Sequence, residues 1–150
     1  MKVARKWFDE IVTEDSFGYV SPIIYFQGCG IKCEGCQNGS LQDPEGGREV
    51  ERRKILDRVL LSAFRYKAVT FQGGEPLDQM ADLLWLLNQL RLRGIKTVVY
   101  TGYTYERIPS ILKEYCDILK CGQYGSQQTV YYKVPIVKTV KHFQYKEVTK

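Results

Sequence analysis

The chain has 150 residues, enough for one domain with a hydrophobic core that needs no disulfides. Hydrophobic residues make up 44% and charged residues 26% of it, and the formal net charge is +5. This balance is that of a soluble globular protein. Because the basic residues form no clustered patch, we expect no nucleic-acid partner.

The N-terminus and the cysteine count bear on the compartment. The opening stretch MKVARKWFDEIV has no apolar signal-peptide core, and no apolar run is long enough to cross a membrane. We therefore expect a cytoplasmic protein without a membrane partner. The five cysteines are an odd number, which argues against a complete set of internal disulfides. In the reducing cytosol, cysteines tend to be free, catalytic or metal-bound.

Hydrophobic periodicity predicts strands and helices in alternation from residue 20 onward. A short hairpin is suggested within residues 7–19, and residues 126–150 form a tail that favours strands. Buried strands are expected at 20–27, 68–72, 95–101 and 116–122. Amphipathic helices are expected at 48–66, 78–94 and 105–115, the last with an alternative start at Pro109.

The alternation of strands and helices predicts a mostly parallel sheet with helical crossovers. The units are too few for a closed eight-stranded barrel. We therefore expect a single α/β domain over residues 1–150, built as a partial, incomplete β/α barrel. The cysteine loop and the segments GGEP, TGYT and CGQY each follow a predicted strand. Ligand sites collect at the carboxyl ends of parallel strands, so these four loops should meet at one edge.

The loop GCGIKCEGCQN, residues 28–38, places Cys29, Cys33 and Cys36 at CxxxCxxC spacing. Free thiols or a stray disulfide are one interpretation, although three clustered cysteines are unusual in an intracellular chain. A structural zinc site is a second interpretation. Closed zinc sites want four ligands, and this loop offers three. Completion of such a site would have to come from elsewhere in the chain, with the candidates Cys116, Cys121 and His142.

An iron–sulfur cluster is the third interpretation of this loop, because thiolates suit iron–sulfur centres. Three thiolates on a four-iron cluster leave one iron open to a small molecule that carries an amino and a carboxylate group. Gly28, Gly30 and Gly35 fit a loop wrapped tightly around a cluster, where positive φ values and bare backbone are needed.

The CxxxCxxC motif after the first predicted strand and GGEP after the second resemble the radical S-adenosylmethionine (SAM) superfamily. Within it, the chain is most similar to the small activases of glycyl radical enzymes, and above all to those of anaerobic ribonucleoside-triphosphate reductases. Their GCxxxCxGCxN loop resembles residues 28–38, and their YTGYT signature resembles residues 100–104. The likeness covers residues 11–124.

The resemblance implies two cofactors, a [4Fe–4S] cluster and SAM. Cys29, Cys33 and Cys36 would hold the cluster. The backbone from Gly35 to Gln37 would lie along the adenine. The methionyl amino group would meet Gly73, Gly74 and Glu75, and Thr101 would lie near the ribose or the carboxylate. The implied partners are the large subunit of an anaerobic ribonucleotide reductase, which carries the glycyl radical, and a flavodoxin-like electron donor.

Three features depart from the pattern of the family, and one of them is the absence of its usual glycine- and proline-bearing turn before the first strand. Cys121 stands where its members usually carry an aspartate before the glycine of the fourth strand motif. The segment GSQQ at 125–128 replaces their usual RGSxNQ. Two alternatives stay open: a radical SAM enzyme acting on a small molecule, in the manner of 7-carboxy-7-deazaguanine synthase, and a zinc-binding interaction module. His142 is expected at the surface, and Cys116 and Cys121 in the core.

Overall fold

A computed structural model of the chain describes residues 1–12, 14–36 and 39–149. Within them the polypeptide forms one sheet of eight strands, with three α-helices. The strands are β1 (Lys2–Val12), β2 (Ser21–Phe26), β3 (Arg48–Glu49), β4 (Ala68–Gly73), β5 (Lys96–Thr101), β6 (Ile118–Cys121), β7 (Gln128–Tyr132) and β8 (Phe143–Glu147). The helices are α1 (Arg52–Tyr66), α2 (Met80–Leu92) and α3 (Ser110–Tyr115).

The central strands lie where periodicity placed them, as β2, β4, β5 and β6. The predicted starts of the first two helices were wrong, and the third helix starts beside its alternative start at Pro109. Residues 48 and 49 pair with β1, so α1 begins at Arg52. Residues 76–79 form a 3-10 turn before α2. Residues 105–107 form another, and α3 begins only at Ser110, because Pro109 holds the preceding residue in an extended conformation.

The strand order is β3-β1-β2-β4-β5-β6-β7-β8. β2, β4, β5 and β6 are parallel to their neighbours in this group, whereas β1 and β7 pair antiparallel on either side. The suggested hairpin within residues 7–19 was wrong, because residues 7–12 belong to β1, residues 14–18 form a turn, and β1 pairs antiparallel with β2. The α/β class, the single domain and the mostly parallel sheet are confirmed. Closure into a partial barrel stays a prediction.

The sheet has two covered faces. The first, here called the helix-covered face, packs side chains such as Phe26, Phe71 and Val99 against α1 and α2. The second, here called the tail-covered face, packs Val98, Ile118 and Val130 against Phe17 and the C-terminal segment 134–145. The amides of Val137 and Lys138 both donate to the Phe17 carbonyl oxygen, which attaches this segment to the N-terminal turn.

None of the helices in the described residues combines the length and the apolar character needed to span a membrane.

Candidate functional site

A cavity of about 530 Å³ opens at the carboxyl ends of the parallel strands. It brings together most of the residues predicted to form the site: Cys29, Cys33, Cys36, Gly73, Gly74, Glu75 and Thr101. The loops that follow β2, β4 and β5 therefore meet at one edge of the sheet, as expected of parallel strands.

Backbone hydrogen bonds attach the cysteine loop to the segment that follows it. The Gly28 amide donates to the Leu41 carbonyl oxygen at 2.7 Å, and the Cys29 amide donates to that of Gln42 at 3.0 Å. The side-chain amide of Gln42 also donates to the Cys33 carbonyl oxygen at 3.2 Å. Cys29 and Cys33 are thus attached through their own backbone to the segment that follows the loop.

Gly73 and Gly74 allow β4 to end directly against the cysteine loop. Gly73 has a φ of +127°, and a Cβ there would overlap the backbone of Phe26. A Cβ on Gly74 would overlap the Gly28 carbonyl oxygen. The Glu75 amide donates to that same oxygen at 2.8 Å. The glycine pair therefore has a packing role, and its predicted contact with an amino group stays a prediction.

Glu75 is buried and links the loops after β4 and β5. One carboxylate oxygen accepts from the Thr101 hydroxyl at 2.7 Å and from the Leu77 amide at 3.1 Å. The other accepts from the Gly102 amide at 2.8 Å. Burial raises the pKa of Glu75 to about 7, against the lowering effect of these three donors. A carboxylate has room for about four acceptor contacts, and three of them are used here.

Thr101 is buried beside Glu75, and its hydroxyl both donates and accepts a hydrogen bond. Its hydroxyl donates to Glu75 and accepts from the Tyr103 amide at 3.1 Å. The structure therefore places Thr101 in the wall as a link between loops. A contact with the ribose or the carboxylate of SAM stays a prediction.

The remaining loop residues differ in how far the structure describes them. Gly28 and Gly35 have the expected positive φ values, +101° and +70°, whereas Gly30 does not. A Cβ on Gly35 would lie 3.8 Å from the ring of Tyr124, at the rim of the cavity. Gln37, predicted to lie along the adenine, falls outside the described residues, as does the neighbouring Asn38.

The cysteines fit a cluster better than a single ion. All five, each within the described residues, are free thiols. Cys29, Cys33 and Cys36 are half-buried on one cavity wall, while Cys116 and Cys121 are buried on the helix-covered face and cannot complete a zinc site there. No three His, Cys, Asp or Glu side chains of the described residues converge on one point as a single metal ion requires. Three thiolates on separate irons need no such convergence.

Comparison with known protein families distinguishes among the three interpretations of the cysteine loop. The sequence profile of the 4Fe-4S single cluster domain matches residues 18–134.

The chain belongs to this family.

The relatives that this chain resembles include activating enzymes of known proteins. The pyruvate formate-lyase-activating enzyme of Clostridium pasteurianum is 34% identical over 103 residues, which are 63% of this chain and 42% of that protein. The pyruvate formate-lyase 1-activating enzyme of Escherichia coli K12 is 27% identical over 115 residues, 74% of this chain and 46% of that protein. This chain thus spans less than half the length of either enzyme.

A third relative is closer in length. The anaerobic ribonucleoside-triphosphate reductase-activating protein of bacteriophage T4 is 26% identical over 110 residues, 68% of this chain and 69% of that protein. The resemblance to radical SAM activases of glycyl radical enzymes is confirmed. The family match supports the [4Fe–4S] cluster, and the activase relatives support SAM. They do not favour the small-molecule or zinc alternatives.

The cluster domain also has cavity residues that sequence reasoning missed. Tyr25, Gln72, Tyr100 and Lys120 line the cavity from four adjacent strands. Three of these residues stand directly before a predicted loop motif, and Lys120 is a charge in an otherwise apolar strand, which was an available signal. Burial lowers the pKa of the Lys120 ammonium, although Glu75 and other nearby negative groups act against this.

The C-terminal segment contributes to the cavity as well. Residues 140–143, which lead into β8, line it on the side of the tail-covered face. His142 is exposed, as expected, yet it belongs to this wall. No local signal marks this placement, because it depends on the return of the chain from β7 to β8.

Proposed function

We propose that this protein is a radical SAM activase that reductively cleaves SAM at a [4Fe–4S] cluster and generates a glycyl radical on an anaerobic ribonucleotide reductase. The observation that carries the proposal is the meeting of three cysteines with the GGEP and TGYT loops in one cavity. The T4 relative supports the choice of partner, since its match spans about two thirds of both chains. The free state of all five cysteines supports a cytoplasmic location.

Cys29, Cys33 and Cys36 would hold the cluster, and the loop ends after β4 and β5 would receive SAM. When bound, the cluster and SAM supply the electron transfer and the radical chemistry, which belong to the cofactors rather than to acid–base side chains. The protein has to bind, orient and shield them. The predicted domain, residues 1–150, would provide all of these functions in one unit.

Several described contacts provide that orientation. Asp78 accepts from the Gly30 amide at 2.7 Å and so holds the cysteine loop beside the loop after β4. Glu75 joins the loop after β4 to the loop after β5, because it accepts hydrogen bonds from Thr101 and Gly102. These contacts keep the two cofactor-binding loops in a fixed relation, which positions reacting groups before chemistry begins.

The substrate of such an activase is a backbone Cα–H of another protein, so the site must admit a polypeptide. The cavity opens at the strand ends, where the carboxyl-end loops rather than helices surround it. A glycine-bearing loop of the reductase would enter there. A flavodoxin-like protein would deliver the electron, and the formal net charge of +5 on this chain would favour an acidic partner.

Anaerobic purification followed by iron, sulfide and optical analysis tests the cluster. Dithionite and SAM should then yield 5′-deoxyadenosine and methionine, and addition of the reductase should yield a glycyl radical in the EPR spectrum. One zinc per chain without iron would contradict the proposal. Cleavage of SAM without any radical on the reductase would contradict the assignment of the partner.

A further inference from the structure

β8 is the last strand of the sheet, and its outer edge is unpaired in the part of the chain that the structure describes. The Val148 amide, just after β8, donates to the Tyr132 carbonyl oxygen of β7 at 2.8 Å. Successive residues of a strand turn their backbone groups to opposite sides, so the N–H and C=O groups of Tyr145 and Glu147 point away from β7. β8 therefore presents unused backbone donors and acceptors along the edge of the sheet.

The position of β8 relative to the cavity distinguishes it from the opposite edge of the sheet. Residues 140–143, which lead into β8, line the cavity, so the unpaired edge begins at the cavity wall. At the opposite edge, β3 pairs with Lys2 and Val3 and covers the end of β1 that lies nearest the cysteine loop. Among the described strands, only β8 offers an unpaired edge that starts beside the cavity.

The segment that includes β8 is basic. Residues 133–149 carry four lysines against one glutamate, in a chain whose formal net charge is +5. Lys141 and Lys146, on either side of the start of β8, are both exposed. Lysines on an edge strand disfavour pairing with a second, equally basic edge, whereas they attract an acidic strand. The charge therefore argues against a second copy of this chain as the occupant and for an acidic segment of another protein.

We propose that the outer edge of β8 binds an extended, acidic segment of the partner reductase by strand addition, and that this segment continues from the edge into the cavity. This inference rests on the proposed function, in which the substrate is a backbone Cα–H. Strand addition recognises a polypeptide through its main chain, so it fixes the position of a Cα atom whatever the neighbouring side chains are. The lysines near β8 then select acidic segments over basic ones.

Amide-resolved hydrogen exchange of the cluster-loaded protein, with and without the reductase, tests the pairing. In the free protein the Tyr145 and Glu147 amides should exchange fast, whereas the Gln144 and Lys146 amides, which face β7, should already be protected. Saturating reductase should slow the exchange of Tyr145 and Glu147 about tenfold or more. Unchanged exchange of these two amides would overturn the proposal. Slow exchange without the reductase, together with a dimer in sedimentation, would overturn it in favour of a second copy.

Proline substitution tests the same edge by affinity. Glu147→Pro removes an outward N–H without breaking the ladder with β7, and edge strands tolerate proline in that orientation. It should raise the Kd for the reductase roughly tenfold or more, whereas Glu147→Ala, which retains the N–H, should not raise it. Iron per chain and the unfolding temperature should match those of the wild type in both variants. Equal Kd values for the two variants would overturn strand addition.

Charge reversal provides a second variant in case the proline destabilises β8. Lys146→Glu should raise the Kd for the reductase roughly threefold or more at low salt, and less at high salt. Lys54→Glu, at an exposed lysine of α1, is the matched control and should have a smaller effect. Equal effects of the two reversals would overturn the selection of an acidic segment. These failures leave the proposed function intact, whereas wild-type protein with a full cluster that generates no glycyl radical on the reductase would contradict the proposed function itself.

Discussion

The two faces of the central strands carry different chemistry although they share the same backbone. Phe71, on the helix-covered face, is fully buried among apolar side chains, whereas the next residue, Gln72, ends in an unsatisfied amide within the cavity. The same contrast separates Leu119 from Lys120. Because successive side chains of a strand point to opposite faces, one sequence can stabilise the fold with every second residue and build a site with the others.

The tail-covered face itself changes character along the strands. Toward the strand starts it is apolar, with Val98 and Ile118 packed under Phe17. Toward the strand ends it becomes polar, at Tyr100 and Lys120. A segment from the C-terminus covers both parts, so the chain closes this face without a helix. We therefore expect the stability of the fold to depend mainly on the helix-covered face, and ligand binding to depend mainly on the tail-covered face.

The largest expected effect separates the cavity cysteines from those of the helix-covered face. Cys33→Ala should abolish cluster assembly, because a half-buried loop thiol is replaced by a side chain that cannot ligate iron. The measurement is iron per chain after anaerobic reconstitution. Cys121→Ala is the matched control, and it should retain iron because Cys121 packs in the apolar core. Full iron in Cys33→Ala would contradict the ligand assignment.

A core substitution tests the other side of the comparison. Leu87 in α2 is fully buried on the helix-covered face, so Leu87→Ala should cost about 2–5 kcal/mol of unfolding free energy. Urea denaturation measures it. The variant should still load a full cluster while it remains folded. Leu92→Ala, at a side chain that is 66% exposed in the same helix, should change stability by less than about 0.5 kcal/mol.

Gly74 lies where the two faces meet the cysteine loop. Gly74→Ala should destabilise the protein by about 1–3 kcal/mol and lower iron loading, because the new Cβ would overlap the Gly28 carbonyl oxygen. Gly39→Ala is the control within the neighbouring segment, since nothing lies within 4 Å of its Cβ position. Equal behaviour of the two variants in urea denaturation and iron analysis would show that the close approach is unimportant.

Sequence periodicity found the helix-covered face and the loops, because both depend on local patterns. It predicted β2, β4, β5 and β6 and the convergence of the loops after β2, β4 and β5. It missed the length of β1, in which the pairing register with β2 shifts between Val3 and Phe8 and interrupts the period of two. It also misplaced the start of α1, since residues 48 and 49 join the sheet through a distant strand.

The tail-covered face was largely beyond sequence reasoning for a related reason. The motifs named the cysteines, the glycine pair, Glu75 and Thr101. They did not name Tyr25, Gln72, Tyr100 and Lys120, which become neighbours only through strand register. The position of Phe143 beside Lys120 depends on the pairing of β7 with β8, which no short-range pattern encodes. Sites assembled from separate strands need the register before their residues can be grouped.

The pH dependence of the unfolding free energy tests whether the buried Glu75 is protonated in the native state. Its pKa in the folded protein, about 7, exceeds the usual value of 4.5, so the native state holds this proton more tightly than the unfolded chain does. The contribution of this proton to the unfolding free energy is therefore fully present below about pH 4.5, and it is lost as the pH rises through about 7. Wild-type stability should fall by about 2 kcal/mol more than that of Glu75→Gln between pH 5 and 7.5.

Urea denaturation at both pH values measures that difference. Glu106→Gln, at an exposed carboxylate after β5, is the control and should follow the wild type. Parallel pH profiles for the wild type and Glu75→Gln would mean that Glu75 is already ionised in the native state.

The smallest expected effect concerns the link between the cysteine loop and the loop after β5. The Tyr103 hydroxyl donates to Asp78 at 2.7 Å, and the other oxygen of that carboxylate accepts from the Gly30 amide. This hydrogen bond, followed by partial burial, raises the pKa of Tyr103 to about 12. Asp78→Asn should therefore lower the pKa of Tyr103 toward its usual 10, as followed by NMR of ¹³C-labelled tyrosine.

Tyr103→Phe should in turn cost about 0.5–1.5 kcal/mol, since Asp78 keeps its bond to the cysteine loop and water can replace the lost phenol. Tyr124→Phe at the cavity rim is the control, because its side chain is 47% exposed and its ring is retained. A much larger loss for Tyr103→Phe, with reduced iron loading, would show that the loop after β5 holds the cysteine loop in place. The phenol of Tyr103 would then contribute both to the stability of the fold and to the binding site. In that case the two roles could not be assigned to separate faces of the sheet.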